Sequence, residues 1–387
     1  MRILHLFDWY LPSTLSWVGR LLAHLQQTEV AAPWIVKNQF YQPQFRYWKN
    51  PLQIPGLLEP VSEWELPGWQ RLFARSQRFF PSYRWWLEKQ LRYDPPDVLH
   101  AHFGPTGCLY LPLAQKLKRP LVVTFYGFDY EKLLNHRPVF RRKYRQLFVG
   151  ASRVVAASPT GCQALEALGC PAEKLRVVRP SPDLAMFPFF LKKKNPGQLN
   201  LVQVATFTAK KGHLTTLEAL KLALPGCPDL HLTLAGEQQD KLLVRRLKQF
   251  IREHNLEQNV RWLNPVQHTD MANFLSRFDA FIHPSCRAAD GDHEATPVVL
   301  LEAQAVGLPV LATRHFDLAD AVRDGYSGLL ADEEDAARLA KAIQQFYSMG
   351  NQEFARFQVN ARKQVETQFT VQMSAAALHA VYRELVI

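Results

Sequence analysis

Apolar residues in this chain come in short dense runs, each followed by a turn and a longer stretch of mixed character. Arg2 to Phe7, Asp97 to His102, Leu121 to Phe125, Arg153 to Ala157 and Leu175 to Val178 form a first set of such runs. A second set begins at Leu199 and continues through Leu232 to Ala235, Val260 to Leu263 and Ala280 to His283. Runs of this kind alternating with helical stretches predict an α/β chain whose parallel strands are covered on both faces. Helices are expected from about Leu15 to Gln27 and, at the end of the chain, from about 371 to 385. Ser181 to Gly197, with Pro182, Pro188, Pro196 and the Lys192 to Lys194 run, reads as a linker. It predicts domains at 1–183 and 184–370.

The stretch from His283 to Val310 departs from this rhythm. Thr296 before Pro297 reads as an N-cap with proline at the first helical position. Gly307 supplies the left-handed end and Pro309 blocks continuation. Val298, Val299, Leu300, Leu301, Ala303, Ala305 and Val306 are apolar on nearly every side, so the helix is expected to be buried. Glu302 interrupts it, and a carboxylate there needs a basic partner or a polar ligand. It lies about 9 Å along the axis from the cap, while Glu294 sits in the loop facing the helix's amide end, where anions and above all phosphate bind. The layout predicts an extended ligand with phosphate at the helix tip and polar parts reached by Glu294 and Glu302. A core arginine against Glu302 and a solvated Glu294 would satisfy the same residues.

The frame HPS followed by EATPVVLLEAQAVGLPVLAT, with seven residues between Glu294 and Glu302, resembles the donor motif of the retaining glycosyltransferases of family 4, bacterial exopolysaccharide type. The resemblance implies the GT-B fold: two Rossmann-like domains facing a cleft, with residues 371–387 crossing back to complete the first. It places acceptor binding in the first domain and a nucleotide-sugar donor in the second. Val204 to Gly212 matches the family's phosphate turn in part: Lys211 precedes Gly212, but Thr206 stands in the arginine position and Ala205 in that of the leading glycine. Lys210 and Arg287 are the cations that would make up the loss. Donor contacts are implied for Lys211, Thr206, Gly236, Glu294, Thr296, Pro297, Val298 and Glu302, and catalytic roles for Glu294, His102 and Lys211. TFYGFD at Thr124 to Asp129 has Tyr126 where the family carries histidine. A phenol can still hydrogen-bond a sugar hydroxyl, though it does not titrate near neutrality. Acceptor contacts are implied for His102, Tyr126 and Ser13. His315 and Asp320 fall near a donor-contacting loop. Asp290-Gly291-Asp292 reads as a loop insertion, and neither a metal nor another cofactor is expected, because the fold meets diphosphate with lysine, arginine and helix amides.

Composition narrows the partners. The 387 residues suffice for two cores, and 47% hydrophobic with 21% charged content is ordinary for a globular chain. There is no apolar run of membrane-spanning length, and Asp8 breaks the first strand before it could serve as a signal peptide, so a cytoplasmic protein is expected. Five cysteines without a C-x-x-C pair speak against structural zinc. The net charge of +11 implies anionic partners. From Arg71 to Arg92 six basic residues stand against Glu88, interleaved with Phe73, Phe79, Phe80, Trp85 and Trp86. Such a stretch can lie on an anionic membrane or pack as core with a solvated basic edge. Nucleic acid is not expected, since no binding module is present. His100 and His102 share one side of their strand, with His102 at its carboxyl end. These features fit a transferase acting on a saccharide or lipid-linked saccharide. A sugar-nucleotide-binding scaffold without turnover, or a phosphorylase- or polymerase-type relative, would use the same fold.

Overall fold

A computed structural model describes residues 1–10, 16–25, 34–40, 88–89, 91–93 and 95–386. The chain divides into two compact units, one of Met1–Pro180 with Val371–Ile387 and one of Ser181–Thr370.

The first unit is built on a parallel sheet in the order β2-β1-β3-β4-β5-β6. Its strands are β1 Ile3–Tyr10, β2 Trp34–Phe40, β3 Val98–His102, β4 Leu121–Phe125, β5 Arg153–Ala156 and β6 Leu175–Val177. Alternation along each strand sorts the side chains onto two faces. Leu4, Leu6, Leu99, Ala101, Val123, Phe125 and Val154 form one apolar face with Tyr144, Leu147 and Phe148 of the helix Val139–Gly150. The opposite face carries His5, His100, His102 and Thr124, all buried. The terminal helix Val371–Arg383 lies on that face and brings Tyr382 to His100.

The second unit repeats the plan in the order β12-β11-β10-β7-β8-β9. Its strands are β7 Leu199–Val204, β8 Leu230–Ala235, β9 Val260–Leu263, β10 Ala280–His283, β11 Val310–Thr313 and β12 Gly328–Ala331. Leu199, Leu201, Leu232 and Ile282 pack with the helices His213–Ala223 and Ala336–Ser348. Val202, Phe281, Val310 and Ala312 pack on the other face with the helix Val298–Val306. The chain runs outward from β7 to β9 and returns to β10 on the opposite side of β7. The carboxyl ends of β7 and β10 therefore flank the switch point where ligands of doubly wound sheets bind.

Two local expectations are corrected. Ser181 to Gly197 is not a free linker but part of the second unit: Phe187 is fully buried in its core, Lys192 pairs with Asp279 at 3.1 Å, and Lys194 donates to the Tyr347 carbonyl at 2.7 Å. The prolines mark an irregular backbone, and the aromatic and lysine side chains fasten it down. Thr296 is not the helix cap. Pro297 occupies that position with ψ of 121°, and no side chain caps the helix, which starts at Val298. Its end is as expected, with Gly307 left-handed at φ 97°.

Candidate active site

The carboxyl ends of β7 and β10 are pinned together at Gly212. Its φ is 67°, and a Cβ atom there would lie 1.8 Å from the Pro284 carbonyl oxygen, so only glycine lets the two loops approach. This puts Lys211, the last residue before Gly212, beside the loop that follows His283. The Lys211 carbonyl is held from behind by Gln203 of β7 at 2.7 Å.

Lys211 and Glu294, remote in sequence, form an ion pair, and each side chain is about nine-tenths buried. Burial alone would push the Glu294 carboxyl up, but the Lys211 and Lys210 ammoniums outweigh it and hold it down at about 2. Burial draws Lys211 downward, with Glu294 opposing. Lys210 is itself committed, to Asp292 and to the His293 carbonyl, both at 3.1 Å. Arg287 stacks on Phe316 at 5.0 Å. His315 fixes the Glu294 backbone: its Nε2 accepts the Glu294 amide at 3.0 Å while Nδ1 meets Glu333 at 2.7 Å. Accepting on Nε2 requires the proton on Nδ1, so His315 is neutral and donates to Glu333.

Because the Glu294 carboxyl is depressed, its contribution to stability is complete above the ordinary value of 4.5 and fades as pH falls from there through about 2. Taking wild type from pH of about 5 to about 2.5 should therefore cost on the order of 2 kcal/mol more than the same step costs Glu294→Gln. Urea unfolding at a series of pH values reads the difference.

Glu302 is 3% exposed and meets His268 Nε2 at 2.8 Å. Among the described residues its basic partner is thus a histidine from the loop after β9. Thr206 lies at the mouth of β7, and Gly236 follows β8 where a Cβ would meet the Ala205 carbonyl at 1.8 Å. Thr296, Pro297 and Val298 form the entry to the Glu302 helix. Around the Lys211–Glu294 pair several buried groups lack a hydrogen-bond partner, among them both ring nitrogens of His213 and His283 and the Ser285 hydroxyl. Groups of this kind cost about 1–3 kcal/mol when left unmet.

The acceptor-side candidates lie in the first unit. His102 is 2% exposed, stacks on Phe7, and has both nitrogens engaged: Nδ1 with the Tyr126 hydroxyl at 2.6 Å, Nε2 with His5 Nδ1 at 2.9 Å. His5 Nε2 is buried without a partner. A bare nitrogen is tolerated there better than an orphaned N–H, which assigns the His5 proton to Nδ1. His5 then donates to His102, and His102 donates to Tyr126, whose hydroxyl also hydrogen-bonds with Thr124. His102 thus stands behind Tyr126, whose ring is half-buried and whose hydroxyl is held inside by His102 and Thr124. Asp129 ties this turn to the next strand end, accepting the Tyr126 and Gly104 amides at 3.0 and 2.9 Å. Ser13 and residues 71–87 lie outside the described residues.

His5, His100 and His102 are also the one group of possible metal ligands that comes together among the described residues. Their chemistry fits a hydrogen-bonded network better. His100 spends its nitrogens on Tyr382 at 2.6 Å and Thr124 at 2.7 Å, and its ring stacks on His102 at 4.4 Å, turning the in-plane lone pairs parallel instead of toward one point.

Comparison with known proteins decides the family. Residues 189–364 match the model for glycosyl transferases group 1, and residues 52–185 match that for glycosyltransferase family 4. The chain is 31% identical over 293 residues to WcaL of Escherichia coli K12, named as a colanic acid biosynthesis glycosyltransferase, covering 75% of this chain and 71% of that one. The chain belongs to the family 4 glycosyltransferases. AmsK, the amylovoran biosynthesis glycosyltransferase of Erwinia amylovora, is 32% identical over 75% of this chain and 69% of its own. Among solved structures, a Rickettsia africae glycosyltransferase gives a TM-score of 0.77 at 18% identity, covering 99% of this chain and 98% of that one. Anabaena HepE in complex with UDP and glucose gives 0.74 at 17%, covering 99% and 100%. These likenesses establish the GT-B fold. Among the described residues of this glycosyltransferase, no helix is long and apolar enough to cross a membrane.

His268, His315 and Gln203 are the site residues that sequence reasoning did not assign these contacts. Gln203 had a local signal, a polar residue in the apolar run LNLVQV. His268 had none.

Proposed function

We propose that this glycosyltransferase moves a sugar from a nucleoside diphosphate to a saccharide hydroxyl with retention of anomeric configuration. The observation that carries the reading is the buried Lys211–Glu294 pair at the switch point. In this reading the donor diphosphate lies between Lys211 and the amide end of the Val298–Val306 helix, which favours anions. Glu302 takes the ribose hydroxyls, held in place by His268, and Glu294 turns to the sugar once the diphosphate engages Lys211. The acceptor oxygen bonds to the anomeric carbon on the face from which the phosphate oxygen departs, and the acceptor proton leaves with the diphosphate. Catalysis then consists mainly of stabilising charge on the leaving group. Lysine and helix amides supply that stabilisation without a divalent cation, a reading supported by the pairing of Glu294 and Asp292 with lysines. Tyr126, at the end of β4, is the acceptor-side contact in this reading. The biosynthetic names of WcaL and AmsK support a surface or exopolysaccharide role; in this reading the acceptor is a saccharide or a lipid-linked saccharide.

The test is a donor panel of UDP-, GDP- and ADP-sugars, recording melting shift and nucleoside diphosphate release. One donor should raise the melting temperature, by mass action on the folded state, and release diphosphate slowly to water and faster with acceptor. A shift without release under any acceptor would favour a binding protein of the same fold. The absence of any shift would overturn the donor site.

A further inference from the structure

The turn after β12 carries an acid that the chemistry above does not use. Glu333 lies two residues past β12, and Asp335, not Glu333, caps the helix Ala336–Ser348. One Glu333 oxygen accepts the Arg287 amide at 2.9 Å, and the other meets His315 Nδ1 at 2.7 Å. Because His315 Nε2 accepts the Glu294 amide at 3.0 Å, this one carboxylate reaches both ends of the loop from Arg287 to Glu294. The contacts cross the carboxyl ends of β10, β11 and β12, which are neighbours in the sheet.

Side chains fasten the same two ends. The Phe316 ring takes the Arg287 guanidinium at 5.0 Å and the His293 ring at 4.0 Å. Phe316 itself is left-handed at φ 40°, uncommon for a bulky residue. Between its ends the loop closes on itself, with the Ala288 amide donating to the Asp292 carbonyl at 2.8 Å.

Such bracing suits a carboxylate that must change partner. In the proposed reaction Glu294 leaves Lys211 for the sugar, and a fixed backbone confines that movement to side-chain torsions. Glu333 also sets the tautomer on which the brace depends, since accepting from Nδ1 leaves His315 Nε2 bare toward the Glu294 amide. A glutamine at 333 would offer one acceptor oxygen to two donors. Its amide nitrogen, if turned to Nδ1, would place the His315 proton against the Glu294 N–H.

We propose that Glu333 is a positioning residue for sugar transfer, holding Glu294 in register with the donor sugar through His315 and the Arg287 amide. This role rests on the reading of Glu294 as the sugar contact and deepens it.

Glu333→Gln tests it, keeping the shape of a side chain that is 35% exposed, so that folding is not at stake. Turnover in donor-dependent diphosphate release should fall roughly 10- to 100-fold, as for a displaced reacting group. Affinity for UDP, GDP or ADP alone, by calorimetric titration, should stay within about twofold, because the nucleotide contacts share no partner with Glu333. His315→Gln, which can return an oxygen to the place of Nε2, should keep more turnover than His315→Leu. In a Glu294→Ala background Glu333→Gln should cost nothing further, whereas a general structural role would add its loss in either background. Hydrogen exchange across residues 287–295 should quicken in Glu333→Gln, which reads the brace without turnover. Wild-type turnover in Glu333→Gln, a full additional loss in the Glu294→Ala background, or unchanged exchange would overturn the proposal. A wild type that releases no diphosphate from any donor would overturn the transferase reading, with exchange still judging the brace.

Discussion

Replacing Lys211 with methionine is expected to lower nucleoside diphosphate release by about 100- to 1,000-fold, the loss typical when one preorganised charge partner of a transition state is removed. The effect should fall on the turnover rate, since the lysine acts most strongly where charge develops on the departing diphosphate. A second consequence separates this residue from a surface lysine. Glu294 would remain buried without its main partner, Lys210 being committed to Asp292, and breaking a buried pair costs about 3–5 kcal/mol. Urea unfolding should therefore show a marked loss in Lys211→Met that Lys211→Met/Glu294→Gln recovers in part, because the double variant buries no unpaired charge. Activity should not recover with it. Near-wild-type turnover in Lys211→Met would refute the placement of the diphosphate at this turn.

Changing Glu302 to alanine is the second large effect. A hydrogen bond to a charged group is worth about 1.5–3 kcal/mol, so donor affinity should fall roughly 10- to 100-fold. The loss should appear in the donor's melting shift and in the Michaelis constant for donor, with acceptor dependence little changed. His268→Ala should reproduce a smaller part of it, because His268 touches Glu302 at 2.8 Å and positions the carboxylate. Equal donor affinity in wild type and Glu302→Ala, measured by calorimetric titration, would remove Glu302 from the donor site and leave it as the core half of an ion pair.

Both expectations rest on residues whose types and spacing were legible in the chain and whose contacts were not. A glycine after Lys211, an amphiphilic loop before a buried helix, and a lone carboxylate within that helix are local patterns. They follow from what a strand end, a helix start and an apolar helix each tolerate. The two faces of the first sheet were legible for the same reason: period two puts His100 and His102 together whatever lies opposite. The helix start shows the limit of local rules. Thr296 and Pro297 have the right types for a cap and a first turn, yet Pro297 takes an extended ψ and becomes the cap itself. The Ser181 to Gly197 stretch shows the same limit. Prolines and lysines describe a linker by composition, while Phe187 and Lys194 find partners only once the unit around them is folded.

The sequence by itself determined the two alternating α/β sets, the helix that ends at Gly307, the family frame around Glu294 and Glu302, and the position of Lys211 at a strand-to-helix turn. These are set by covalent spacing and backbone preference, which act over a few residues. Only the tertiary structure decided that Lys211 pairs with Glu294, that Glu302 meets His268, that His315 holds the Glu294 amide, and that His102 backs Tyr126 through a chain beginning at His5. Each of those contacts joins different strands or the loops and helix that follow them. Which strand ends meet depends on sheet order and on close approaches such as Gly212 against Pro284, quantities that no local pattern of side chains encodes.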